Sequence, residues 1–181
     1  MEGLKRAERA NIPTTYHNLL AYKKKHPQTP EGVATARAQY DADLADIILK
    51  LQPRPDLIVC AGWMHIFTPS FLSPIASASP SPPFTTSGIR VINLHPALPG
   101  EFAGANAIER AWEAGRKGEI KRTGVMIHEL IEEVDAGEAI LTQEVEIKEG
   151  ETLDGLAERM HKVEHGLIVD GTRRVLGGLA R

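Results

Sequence analysis

Only one cysteine, Cys60, occurs in the 181 residues, so no disulfide can form within the chain and a reducing, cytosolic compartment is expected. No apolar run approaches the length of a membrane span. The N-terminal MEGLKRAERA lacks the apolar centre of a secretory leader. Neither sign of charge is in large excess, with a formal net charge of -3. No basic patch or aromatic-basic stripe stands out, and Lys23-Lys24-Lys25 reads as a solvated surface. Nucleic acid and anionic membranes are therefore not expected partners. No serine stands in a G-x-S-x-G elbow. His65, His128, His161 and His165 fall at no metal-ligand spacing, and HKVEH is not the HExxH zinc pattern, so no metal is expected. Cys60 lies in an apolar strand pattern and reads as core rather than nucleophile.

What remains is ordinary for one soluble domain: 42% hydrophobic and 25% charged residues. Residues 3–10 read as a helix end and Ile12–Tyr16 as a short strand. Thr29-Pro30-Glu31 opens a helix, with Thr as N-cap, Pro in the first turn and an acid at the positive end of the dipole. Tyr40, Leu44, Ile47, Ile48 and Leu51 give that helix an apolar stripe, and Pro53 and Pro55 stop it. The run from Asp56 to Gly62, DLIVCAG, reads as a parallel strand buried on both faces. A short helix is expected over 69–76, and the stretch 77–88, SASPSPPFTTSG, reads as a Ser/Pro-rich surface insertion. Strands are expected at 89–94, 122–130 and 138–147, and a helix over 105–114. The last strand alternates Val145 and Ile147 with Glu144 and Glu146, so one face meets water. Thr152 caps a long final helix carrying Leu153, Leu156, Met160, Val163 and Leu167 on one side. Alternation of this kind predicts an α/β domain: a Rossmann-like, mostly parallel sheet with helices on both faces. Its site is expected beyond the carboxyl ends of the strands.

NLHPALPG, Asn93 to Gly100, lies at such an end. Residues two apart on an extended segment point the same way, so the amide of Asn93 and the imidazole of His95 can converge on one atom. That pairing suits an oxygen gaining negative charge in acyl transfer. The competing reading is a turn capped by Asn with a satisfied His. In EEVDAGEAI, Asp135 could hold His95 protonated and raise its pKa, or could be an ordinary turn residue before Gly137. In AGWMHIF, the residues after the buried strand could wall a flat heterocycle, or simply face the core.

Three stretches, INLHPALPGEFAG, TGVMIHELIEEVDAGEAI and ETLDGLAERMHKVEHGLIV, together resemble the phosphoribosylglycinamide formyltransferase family, a branch of the folate-dependent formyltransferases. AGWMHIFTPSF resembles that family's folate segment in the same order, and the Ser/Pro insertion resembles fungal members. The resemblance implies formyl transfer from 10-formyltetrahydrofolate to the amine of glycinamide ribonucleotide, in purine biosynthesis. It implies that Asn93, His95 and Asp135 are the catalytic set, with Asn93 and protonated His95 at the oxyanion. It implies folate contacts at Arg37, Met64, His65, Ile66, Phe67 and Asn93, and along the loop Ile131 to Gly137 through Ile131, Val134 and Asp135. Ribonucleotide contacts are implied at Pro96 and Glu164. His65 stands where many relatives carry Arg.

The resemblance also implies a strand, a phosphate-cradling loop and a helix ahead of EGLKRAERANIPT, which this sequence does not show. The 181 residues are thus expected to form one catalytic domain that begins inside its second βα unit. A formyltetrahydrofolate hydrolase and a folate-binding fragment without turnover are the alternatives. Monomer and homodimer are both compatible with the sequence.

Overall fold

In the computed structural model, which describes residues 2–78, 88–131, 135 and 137–179, the described residues form six helices and four strands. They are α1 (Glu2–Arg9), α2 (Leu19–Lys23), α3 (Pro30–Leu49), β1 (Leu57–Cys60), α4 (Pro69–Ser77), β2 (Arg90–His95), α5 (Ala107–Arg116), β3 (Arg122–Glu129), β4 (Ala139–Glu146) and α6 (Leu153–Leu179).

The long helices begin where their caps dictate. Thr29 Oγ1 accepts a hydrogen bond from the Gly32 N–H at 3.2 Å, and Thr152 Oγ1 accepts from the Gly155 N–H at 3.1 Å. Each bond satisfies a donor that the first turn would leave orphaned. The stretch Ile12–Tyr16, expected as a strand, is not one. Ile12 and Tyr16 are 58% and 65% exposed, and Pro13 withholds a ladder donor. The short α2 follows instead, capped by Asn18 Oδ1, which accepts from the Leu20 N–H.

The strands form one sheet in the order β1-β2-β3-β4. The α/β class holds, but the strand directions correct the expectation of a mostly parallel sheet. Only β1 and β2 run parallel among the described strands; β2–β3 and β3–β4 are antiparallel. The apolar run of β1 was expected to be covered on both faces, yet Val59 is 37% exposed on the edge strand. The strand enclosed on both sides is β3, buried from Thr123 to His128. β4 alternates as expected, with Val145 buried between exposed Glu144 and Glu146.

Two apolar layers clamp the sheet. On one face Ile92, Val125, Ile127 and Val145 pack with Leu156, Met160 and Leu167 of α6 and with Ile108 and Trp112 of α5. On the other, Cys60 and Val91 pack with Phe71 and Ile75 of α4 and with Leu44, Ala45 and Ile48 of α3. Val91 and Ile92 thus serve opposite layers, as adjacent strand residues must. Fully burying a side chain such as Phe71 or Ile75 contributes roughly 1.5–3 kcal/mol. This rigid frame brings the C-terminal end of β2 beside the end of β3, with Asn93 paired to His128.

Candidate active site

A cleft of about 400 Å³ opens at that end of the sheet, a size that suits a small organic ligand. Met64, His65, Ile66, Phe67, Asn93, His95, Pro96, Ile131, Asp135 and Glu164 all line it, so the positions singled out in the sequence meet at one place. Arg37 lies on α3 and is not among the lining residues. Val134 falls outside the described residues, as does the stretch 79–87 of the Ser/Pro insertion.

Asp135 is the hub. Its Oδ2 accepts from the Gly104 N–H at 2.8 Å and lies 3.4 Å from Nδ1 of His95. Its Oδ1 lies 3.5 Å from Nε2 of His128. The backbone at Asp135 has φ 56°, in the left-handed region that Asp and Asn tolerate best after glycine. Gly137 explains the second half of the DAG motif. A Cβ there would fall 1.7 Å from the Glu129 carbonyl oxygen, so the chain can lie against β3 only without a side chain.

His128 is the residue that sequence reading missed. Its Nδ1 donates to the Glu129 carbonyl at 2.8 Å, and its Nε2 faces Nδ2 of Asn93 at 3.2 Å. It is 2% exposed and stands beside an irregularity in the β3–β4 register, where side chains are often re-aimed towards a site. The one signal was a polar residue closing the apolar run TGVMI. With Nδ2 against His128, Asn93 keeps a second amide hydrogen for a ligand. Its Oδ1 is buried with no partner among the described residues.

His95 is 5% exposed, and both of its ring nitrogens face acceptors: Nδ1 the Asp135 carboxylate, Nε2 the Phe102 carbonyl at 3.3 Å. That geometry suits an imidazolium. Burial nevertheless outweighs it and holds the pKa of His95 below the ordinary 6.5; Asp135 and the Phe102 carbonyl push upward, His128 and Arg110 downward. This corrects the expectation of a raised pKa: the sequence shows the carboxylate but not the burial. Arg110 donates to the Phe102 and Ala103 carbonyls at 2.6 and 2.7 Å and ties down the loop that covers His95. Phe102 and Asn106 in that loop hold positive φ of 43° and 57°. Glu164 also lines the cleft, and burial raises its pKa against the opposing His161 and His165. Cys60 is buried and its thiol is pushed up to about 12 by desolvation, which makes it inert as a nucleophile.

The lowered pKa of His95 has a stability consequence. Between 6.5 and its folded value, the unfolded chain binds more protons at this site than the folded one. Its contribution is therefore complete above pH 6.5 and is lost as the pH falls through the folded value. Urea unfolding of wild type and His95→Gln across this range should show the wild type losing more stability on acidification. Parallel curves would refute the assignment.

Relatives and solved structures identify the family to which the chain belongs. The formyl transferase family profile matches residues 1–172. A phosphoribosylglycinamide formyltransferase of Schizosaccharomyces pombe is 45% identical over 174 residues, covering 96% of this chain and 76% of the relative. One from Dictyostelium discoideum is 43% identical over 171 residues, covering 94% of this chain and 77% of the relative. The crystal structure of phosphoribosylglycinamide formyltransferase from Streptococcus pneumoniae TIGR4 superposes with a TM-score of 0.73 at 28% identity, over 96% of this chain and 80% of that one. Sequence and backbone are shared along nearly the whole chain, and it belongs to the formyl transferase family.

Proposed function

We propose that this chain transfers the formyl group of 10-formyltetrahydrofolate to the amine of glycinamide ribonucleotide, a step of purine biosynthesis. The observation that carries the reading is the convergence of Asn93, His95 and Asp135 in a cleft whose other wall is apolar. Met64, Ile66 and Ile131 are 78%, 51% and 47% exposed, a large apolar surface that a flat heterocycle would cover. Backbone groups along 64–66 are free of helix or strand and can read the ring's edge. Pro96 and Glu164 line the same cleft, and on this reading they serve the acceptor.

The chemistry needs two things: a place for negative charge on the formyl oxygen, and a path for one proton from the acceptor amine to the folate nitrogen that leaves. Asn93 supplies an amide N–H to the oxygen. His95, neutral at rest because it is buried, takes up the proton released as the amine bonds to the formyl carbon. The resulting imidazolium is the form that the two facing acceptors favour, and Asp135 stabilises it. His95 then returns the proton as the bond to the folate nitrogen breaks. No covalent enzyme intermediate is required.

The test is formyl transfer by the purified chain with and without the ribonucleotide, following tetrahydrofolate by absorbance and the formylated product by mass spectrometry. Product formation is expected only when the ribonucleotide is present. Formate release at the same rate without it would assign a hydrolase instead. Folate binding with neither product would reject catalysis by this chain.

A further inference from the structure

We infer that His65 is a positioning residue for the formyl donor, acting through a buried clamp with Asp41 that fixes the wall of the cleft. This inference rests on the proposed donor site and adds a residue that acts behind it. Asp41, on α3, is 0% exposed. Its Oδ1 lies 2.6 Å from Nε2 of His65, and its Oδ2 accepts from the Thr68 N–H at 2.6 Å. One carboxylate therefore grips both ends of the segment 65–68. Thr68 is also the N-cap of α4 and makes no side-chain capping bond, so Asp41 supplies an acceptor at that helix's entry.

The side chains along this segment alternate. Trp63, His65 and Phe67 turn inward, in ring contact with one another, with Phe67 stacked on Phe71 at 3.9 Å and Tyr40 edge-on to His65 at 5.4 Å. Met64 and Ile66 turn outward and are exposed. The inward row sets where the outward row and the backbone of 64–66 present themselves. A buried carboxylate needs both of its donors, because an unpaired charge in the interior is strongly unfavourable. Removing the imidazole frees one end of the segment, and the wall shifts to bring water or another donor to Asp41. The wall would contact the donor equally before and during reaction, so its loss weakens binding without slowing the chemistry. The interaction requires a donor at this position rather than an imidazole as such. A guanidinium, which donates to carboxylates and stacks on aromatic rings, should replace it.

The experiment is steady-state kinetics of wild type, His65→Ala, His65→Gln and His65→Arg with both substrates varied, with circular dichroism to check folding. His65→Ala should raise KM for 10-formyltetrahydrofolate about tenfold or more, leaving kcat and KM for the ribonucleotide within about threefold. His65→Gln should fall between, and His65→Arg should lie close to wild type. An unchanged donor KM in folded His65→Ala would overturn the inference. So would an equal fall in kcat with both KM values raised, or failure of Ala and Gln variants alike to fold, since these mark a purely structural role. An inactive wild type would instead refute the proposed function, and an unaltered tetrahydrofolate affinity of His65→Ala by calorimetry would then still refute the clamp.

Discussion

Asp135→Asn lowers kcat about 10²–10³-fold while the protein unfolds at nearly the wild-type temperature. The two halves of this expectation have separate causes. Asp135 holds φ 56°, and Asn is the substitute that tolerates that conformation as well as Asp does. Its amide oxygen can still accept from the Gly104 N–H, so the hydrogen bond that seats the loop survives. What goes is the charge. With its oxygen kept at the Gly104 N–H, the amide turns that neutral oxygen towards Nδ1 of His95 and its NH₂ towards Nε2 of His128, at the places the carboxylate oxygens hold in the native protein. The imidazolium formed during transfer loses its counter-charge, and His95, whose pKa burial already depresses, loses one of the groups pushing it upward. The acid limb of kcat/KM should accordingly move to lower pH in the variant. Turnover within about fivefold of wild type would remove Asp135 from the mechanism.

Gly137→Ala is expected to be nearly as damaging without touching any reacting group. The added methyl would stand 1.7 Å from the Glu129 carbonyl oxygen and 2.6 Å from its carbon. Both belong to the backbone of β3, which cannot swing aside as a flexible side chain would. Glu129 is further held there because its N–H donates to the Glu138 carbonyl at 2.9 Å. The chain at 137 must therefore lift off the strand and carry Asp135 with it. A displacement of about 1 Å at a catalytic group can cost about 100-fold in rate, and overpacking of this kind costs about 1–3 kcal/mol. The control is Gly166→Ala in α6, where a Cβ meets nothing within 4 Å and the helix gains from alanine. The urea midpoint should fall in Gly137→Ala and rise slightly in Gly166→Ala, and kcat should fall only in Gly137→Ala. Wild-type kcat in Gly137→Ala would show that the loop has room the geometry denies.

The sequence revealed those parts of the fold that local chemistry decides. Thr29 and Thr152 announce their helices because a hydroxyl before a helical pattern has one obvious use. Val145 between two glutamates reveals a half-wet strand for the same kind of reason. Asn93 and His95 stood out because polar residues at a strand's end have no packing role. Other features depend on what lies across space. The antiparallel setting of β3 is a property of the sheet, and an apolar strand reads alike in either direction. His128 hid in that strand because one histidine after TGVMI resembles a satisfied core residue. The lowered pKa of His95 is set by how many layers cover it, which no spacing reports. Arg37, taken from resemblance alone, lies on α3 and is not among the cleft's described lining residues. His65 stood out only as an implied folate contact, yet its side chain meets a carboxylate 24 residues earlier in the chain.

Cys60 leaves the folded chain open to labelling at a chosen site. It is the chain's sole thiol, 5% exposed beneath α3 and α4, with almost no thiolate at neutral pH. Thiol-directed labels should pass the native protein by. A cysteine placed on the outward row at position 64 or 66 would then be its only reactive handle, and a fluorophore or spin label there would report directly on occupancy of the cleft.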